Sequence, residues 1–303
     1  ALRVEEPEWF ARSHAEIGRW FSEGLVDGLR VDHPDGLFDP GRYLEDLATL
    51  TGGRYVVVEK ILALRGGPDG TGVGLEELPA GWATAGTTGY DALALVDRVL
   101  VDPAGEGPLT ALEDELRGGP VDWPALVRQS KLAVAEGILN SEVRRIARAC
   151  ARDAAAGQDF EQVVAAVAEL LADFGVYRSY LPEGREHLDR AFAAAREQRP
   201  DLAGVFDLVA PVLGDGSTEA ATRFQQTSGM VMAKGVEDGA FYRWGRLTSL
   251  NEVGGDPGVF AVGVDDFHTL MAARQERRPE ALTAGTTHDT KRGEDVRARI
   301  SVL

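Results

Sequence analysis

The sequence predicts an α/β protein in which a parallel sheet, either closed as a barrel or open and doubly wound, is interrupted by a block of helices. Three observations carry this. The first third of the chain alternates helical and strand-like patterns at about the period of a βα unit; two strand-like runs each end on an acid, Asp32 and Glu59; and from about Pro103 to Arg223 the pattern changes to amphipathic helices alone.

Taken in order, Trp9, Phe10, Ile17, Trp20 and Phe21 recur at helical spacing, Gly24 closes that helix, and Leu25 to Val31 reads as a buried strand. DPGRYLEDLATL then predicts a helix with Asp39 as N-cap and Pro40 at its first position, stopped by Gly52 and Gly53. The β-branched run Tyr55 to Val58 is the next strand. Two successive strand–helix repeats imply parallel strands joined by right-handed crossovers. In the helical block Phe160, Val163, Val164, Val167, Leu170, Leu171 and Phe174 fall on one face. GGPDGTGVG at 66–74 reads as a loop, and PVLGDGST at 211–218 as the linker back to the sheet. MVMAKGVED then reads as a short strand ending in charge, and ALTAGTTHDTKRGEDVRARI as a strand-like start, a polar turn holding Asp289, and a helix. The expected division is 1–102 for the first part of the α/β domain, 103–223 for a helical insertion and 224–303 for the second part.

With 32 Lys and Arg against 49 Asp and Glu, the formal net charge is −17. No basic stretch is segregated from the rest, so nucleic acid and anionic membranes are excluded as natural partners. The single cysteine, Cys150, cannot form an internal disulfide and sits among small residues of a helix, which reads as an inert thiol. No run of about 18 apolar residues is present to span a bilayer, and ALRVEEPEWF lacks the regions of a signal peptide, so the expected location is cytoplasmic. GGPDGTGVG and EVGGDPG lack the ending and following helix of a phosphate loop. His14, His187 and His268 stand in helical contexts and no pair has zinc-site spacing. Neither a metal nor a cofactor is expected.

In a parallel barrel the C-terminal ends of the strands converge on one mouth, which makes acids at two successive strand ends a candidate pair. Asp32 in DHPDG reads equally well as a turn aspartate. Glu59 ends a buried run and needs a partner for its charge, which favours function. Arg30 lies two residues before Asp32, so both side chains point to one side of the strand, and the guanidinium would keep Asp32 ionised; a structural ion pair is the alternative. His33 and His288, each beside a candidate acid, read as hydrogen-bond donors to hydroxyls of a ligand or, as a lone His usually is, as satisfied polar residues.

At these residues the sequence resembles the maltooligosyltrehalose synthase family of the α-amylase superfamily, glycoside hydrolase family 13. GLRVDHPDGLFDPGRYLEDL looks like the segment that holds the superfamily nucleophile, with Arg30 and Asp32 in its Arg-X-Asp positions. VVVEKIL looks like the general-acid segment and THDTKRGEDVRARI like the His-Asp segment, which assigns general acid to Glu59 and transition-state stabiliser to Asp289 beside His288. LPAGWATAGTTGYD, VYRSYLP, MAKGVEDGAFYRWGRLTSLNEVGGDP and Phe267-His268 also look like this family and not like amylases at large. Thr287 where amylases usually have Asn, and Asp35-Gly36 where they have Lys-His, agree with the synthases.

The resemblance implies part of a (β/α)8 TIM barrel, about strands 4 to 7, with a helical insertion, and implies that family members are much longer than this chain. It further implies a (1→4)-α-D-glucan 1-α-D-glucosylmutase acting on maltooligosaccharides or linear α-glucan, in a pathway with a trehalose-releasing hydrolase. Lys60, Lys234, Tyr242, Lys291 and Arg292 are the candidate subsite residues for holding a released glucose. The rival readings are an α-glucan hydrolase or transglycosylase of the same superfamily, and an inactive glucan-binding fragment.

Overall fold

The computed structural model describes residues 2–66 and 72–303, and the chain divides into two compact units, residues 2–103 with 253–303 and residues 104–252. The helical unit thus runs on to Glu252, past the boundary at 223 expected from the sequence.

In the first unit, helix α1 (Pro7–Ser22) precedes strand β1 (Gly28–Val31), helix α2 (Pro40–Thr51) and strand β2 (Tyr55–Val58). The expected helix signals act as read. Asp39 accepts the Arg42 backbone N–H at 3.0 Å, Pro40 opens the first turn, and Gly52 ends α2 in the left-handed region at φ 65°. His14 of α1 is buried, stacked on Phe10 at 4.1 Å between ring centres and hydrogen-bonded to the Tyr43 hydroxyl of α2 at 2.9 Å.

Strands β1 and β2 are parallel in the register Gly28↔Tyr55 to Val31↔Val58, and Val56, Val57 and Val58 are all buried, as a strand covered on both faces requires. After β2 the short strands β3 (Leu64–Gly66) and β4 (Val73–Leu75) pair antiparallel. Of the loop expected at 66–74, residues 67–71 lie outside the described residues, and Gly66, Val73 and Gly74 belong to these two strands. Strand β5 (Gly86–Thr87) then adds parallel to β2 through Val57↔Gly86 and Val58↔Thr87, giving the order β1-β2-β5, and helix α3 (Tyr90–Val99) follows. This third strand has only two residues, too few for a period-2 pattern to reveal it.

The second unit is helical: α4 (Glu106–Arg117), α5 (Trp123–Glu136), α6 (Asn140–Asp153), α7 (Phe160–Asp173), α8 (Arg185–Gln198), α9 (Ala203–Leu213) and α10 (Glu219–Met232). Helix α7 packs against α5, α6 and α8, and its predicted face is the core, with Val163, Val167, Leu170 and Leu171 fully buried. A second core cluster joins Trp123 and Leu126 of α5 to Val236, Phe241 and Trp244. The buried Asn251 side-chain amide donates to the carbonyls of Phe241 and Trp244 at 2.8 and 2.7 Å, closing the last loop of the unit.

Three sequence expectations need correction. MVMAKGVED is no strand: α10 runs through Met232 and continues as a π-helical turn, Ala233–Glu237. A short apolar run with one β-branched residue has no strand preference to set against the helix that leads into it. PVLGDGST is no linker to the sheet but the end of α9 and its turn into α10, fastened by Thr218, whose hydroxyl accepts the Ala221 N–H at 3.1 Å.

The strand-like start at 281 is likewise not a strand. Helix α11 (Val264–Arg277) leads into an extended segment that meets β5 through one backbone bond, Leu282 N–H to Thr87 O at 3.1 Å, and a single bond does not make a ladder. Helix α12 (Glu294–Ile300) ends the unit. Among the described residues no helix is long and apolar enough to cross a membrane.

The approach of that segment depends on glycine. At Gly89, φ is 99° and an added Cβ would stand 2.4 Å from the Leu282 carbonyl oxygen and 2.7 Å from the Ala284 nitrogen, both backbone atoms that cannot swing aside. Gly89→Ala is therefore expected to destabilise this unit by about 2–5 kcal/mol, combining the unfavourable φ with the overlap. Thermal unfolding checks it, and a loss below about 1 kcal/mol would show that the 282–284 segment moves freely.

Candidate active site

The register that ends at Val31↔Val58 places the next residues, Asp32 and Glu59, side by side, and the Glu59 N–H still donates to the Val31 carbonyl at 2.8 Å. Arg30 joins them: its guanidinium donates to Asp32 Oδ1 at 2.9 Å and lies 3.2 Å from Glu59 Oε1. The expected same-side placement of Arg30 and Asp32 thus holds, and the guanidinium serves both carboxylates.

His33 adopts φ 41° and ψ 58°, the left-handed conformation uncommon for a residue with a Cβ. Two features accommodate the turn. The His33 N–H donates to Glu59 Oε2 at 3.1 Å, and Gly36 leaves space for the His33 ring, which an added Cβ would meet at 2.8 Å. His33 acts on Glu59 through its backbone, a part that a sequence reading centred on its ring does not contain.

Asp289 arrives on the segment between α11 and α12. His288 Nε2 lies 2.8 Å from Asp289 Oδ2, and the Asp289 N–H donates to the Thr287 hydroxyl at 3.2 Å. Thr287 is in turn 2.7 Å from the Tyr90 hydroxyl, at the start of α3. Arg297 of α12, buried and paired with Asp97 of α3 at 3.0 Å, donates to the carbonyls of Gly285 and Arg292 at 2.5 and 2.6 Å, and so grips the turn on both sides of Asp289. Tyr90 and Arg297 are the residues that sequence reasoning missed. Tyr90 lies in the segment LPAGWATAGTTGYD that resembles the synthases but carries no charge to single it out, and Arg297 reads as one of four charges on a short helix.

The structure thus brings together Arg30, Asp32, His33, Glu59, His288 and Asp289. Lys291 and Arg292 are half-buried on the same turn as Asp289. Lys60 is fully buried, 3.1 Å from Asp35 and 3.6 Å from Glu76, so its ammonium is closed off from a sugar that it was expected to hold. Lys234 and Tyr242 belong to the helical unit, where Lys234 pairs with Asp238 at 2.6 Å and Tyr242 is exposed.

The electrostatics separate the two central acids. The Arg30 hydrogen bond, ahead of the opposing effect of burial, holds Asp32 below the usual carboxylate range. Burial, reinforced by the Asp32 charge and by the Asp289 hydrogen bond, pushes Glu59 up to about 7 against the His33 N–H and Arg30. One carboxylate is kept ionised while the other still holds its proton in part at neutrality. Asp32, Glu59 and His288 also bring three metal-competent atoms within 4.8 Å of one another. The Arg30 guanidinium already supplies positive charge between the two carboxylates.

Retaining glycoside chemistry requires its two carboxyl groups about 5 to 5.5 Å apart, whereas an inverting pair stands about 6.5 to 9.5 Å apart to admit water. Asp32 and Glu59 bring one carboxyl oxygen each within 4.8 Å of the other, compatible with a retaining pair, with the Asp32 carboxyl held low and that of Glu59 pushed up to about 7. Fold and site together define the class: an α/β framework with a paired-carboxylate centre bridged by an arginine.

No family model matches the chain. Over all of its residues the chain is 48% identical to a Mycobacterium tuberculosis protein whose name assigns it, provisionally, to maltooligosyl trehalose synthase. It superimposes with a TM-score of 0.91, at 56% identity over 99% of its length, on the maltooligosyltrehalose synthase of Arthrobacter ramosus. A hypothetical maltooligosyl trehalose synthase of Sulfolobus tokodaii matches at a TM-score of 0.74 and 30% identity over 99% of the chain. The chain spans 38% of the length of the first two and 36% of the third. Over its whole length the chain is thus similar to one part of maltooligosyltrehalose synthases.

The charge coupling at the centre can be read directly. Asp32→Asn removes the negative charge beside Glu59 while leaving its burial, so the Glu59 titration is expected to move down from about 7 in a carbon-13 carboxyl NMR titration. A titration that stays or rises would show that Asp32 does not act on Glu59.

Proposed function

We propose that the chain carries the catalytic acids of a glucan mutase, in part of a (β/α)8 barrel, which converts the reducing-end α-1,4 linkage of a maltooligosaccharide into an α,α-1,1 linkage. The observation that supports this most is the Asp32–Glu59 pair, bridged by Arg30 and divided into an ionised and a protonated member. The names of the relatives point to the same substrate class.

In this reading the Asp32 carboxylate attacks C1 of the penultimate glucose while Glu59 gives its proton to the departing O4 of the terminal glucose. The C1–O4 bond breaks and an ester to Asp32 forms. The terminal glucose stays, reorients and presents its own C1 hydroxyl. Glu59, now a carboxylate, takes that proton as the new oxygen attacks C1 of the esterified glucose, and the C1–O bond to Asp32 breaks to free its carboxylate. Two inversions at the donor carbon retain its α configuration, and the product has lost its reducing end.

Asp289 carries negative charge toward the positive charge that develops at the ring. His33 and His288 bind hydroxyls of the donor sugar. Lys291 and Arg292, on the turn that carries Asp289, hold the released glucose, because water that replaced it would yield hydrolysis. Released from the product by a partner hydrolase, the terminal unit would be trehalose. A purely hydrolytic enzyme shares the first half of this scheme and differs in whether its product is reducing.

The test follows reducing ends and free glucose from maltohexaose, for the complete protein and its Asp32→Asn variant. Reducing ends that vanish without matching glucose, only when Asp32 is intact, are the expected result; new reducing ends would make the protein a hydrolase. The activity also needs Glu59 protonated and Asp32 ionised, so kcat/KM is expected to fall as pH rises through about 7. A profile flat from pH 6 to pH 9, roughly the span over which Glu59 would lose its proton, removes Glu59 as the acid.

A further inference from the structure

Lys60 is among the most deeply buried side chains of the molecule, and its surroundings are built for its charge. It follows Glu59 directly, and in extended backbone neighbouring side chains point to opposite sides, so Glu59 faces the acid cluster while Lys60 turns into the interior. There its ammonium lies 3.1 Å from Asp35 Oδ2 and 3.6 Å from Glu76 Oε1. Asp35 is itself buried, delivered inward by the left-handed His33 and the turn Pro34–Gly36. Glu76 is anchored separately: its Oε2 accepts the Ala63 N–H at 3.0 Å and its own N–H donates to the Ala63 carbonyl at 2.9 Å.

The turn after β1 and the segment after β2 are therefore tied twice, on opposite sides. His33 N–H to Glu59 Oε2 is the tie on the side of the acids, and Asp35 to Lys60 is the tie within the interior. Both lie within three residues of Asp32 and one of Glu59. An ammonium is retained in such a place only with its countercharges, and geometry held by buried ions is rigid because any slackening leaves a charge unpaired.

We propose that Lys60 is a positioning residue which, through Asp35, fixes the separation of Asp32 and Glu59; this rests on the roles given to those acids above. It touches no sugar. Its effect is on the chemical step, since reacting atoms misplaced by about 1 Å can cost a hundredfold in rate while leaving substrate binding intact.

Two variants of the complete protein test this. In Asp35→Asn, Lys60 keeps Glu76 as partner and the buried cluster stays balanced, so the fold is retained; kcat is expected to fall roughly 10- to 100-fold with KM within about twofold. In Lys60→Met the sign of the Glu59 titration separates two effects. Loss of a positive charge alone raises it, whereas loops that slacken, admit water and move Glu59 from Asp32 lower it from about 7, and a downward shift is expected.

The titration reads Glu59 whether or not maltooligosaccharides are turned over. An inactive wild-type protein whose Lys60→Met variant still shifts downward sinks only the proposed reaction. A kcat for Asp35→Asn within about twofold of wild type, or a titration that stays or rises in Lys60→Met, overturns the positioning role. Should Lys60→Met not fold, the split between kcat and KM in Asp35→Asn decides alone.

Discussion

Because β1 and β2 run parallel with Val31 level with Val58, the next residue of each strand, Asp32 and Glu59, reaches the same height on the same side of the sheet. A slip of one residue in either strand would turn its acid to the opposite side and bury the wrong set of side chains. The three buried valines of β2 oppose that slip. The carboxylate pair is in this sense a product of hydrophobic packing: the core sets the register, and the register sets the pair.

What the pair can do is then settled by where charge and water are. Arg30 touches both carboxylates, yet the two acids differ in protonation, because Asp32 is open to solvent while Glu59 is largely enclosed. For Glu59 the cost of burying a charge outweighs the neighbouring guanidinium. The third acid depends on a different set of contacts. The absence of a side chain at Gly89 lets the segment from α11 lie against β5, and Tyr90, Thr287 and Arg297 fasten the turn that holds Asp289. Local backbone approach, a hydroxyl relay and a buried arginine thus do for Asp289 what a strand ladder does for the other two.

The parts of the fold legible in the sequence are those with a local cause. Asp39, Pro40 and Gly52 bracket α2 through capping chemistry confined to one turn at each end. The apolar face of α7 is the core of the helical unit because 3.6-residue periodicity survives in any tertiary setting. Readings without such a cause failed. MVMAKGVED carries no period and follows the helix before it, Ala281 to Ala284 makes one bond to β5 where a strand needs several, and Gly86–Thr87 is too short to leave a pattern. Lys60 was legible as a charge beside an acid, but not as a buried one, since its countercharges Asp35 and Glu76 lie 25 and 16 residues away.

By itself the sequence determined which residue types stand at the strand ends, the alternation that makes β1 and β2 parallel, and the caps that end α2, because each of these follows from sterics and polarity over a few residues. Only the tertiary structure decided how close Asp32 and Glu59 come, which of them keeps its proton, and what holds Asp289 and Lys60 in place. Those quantities depend on distances across the sheet and on the exclusion of water, and both arise only when segments remote in the chain are packed together.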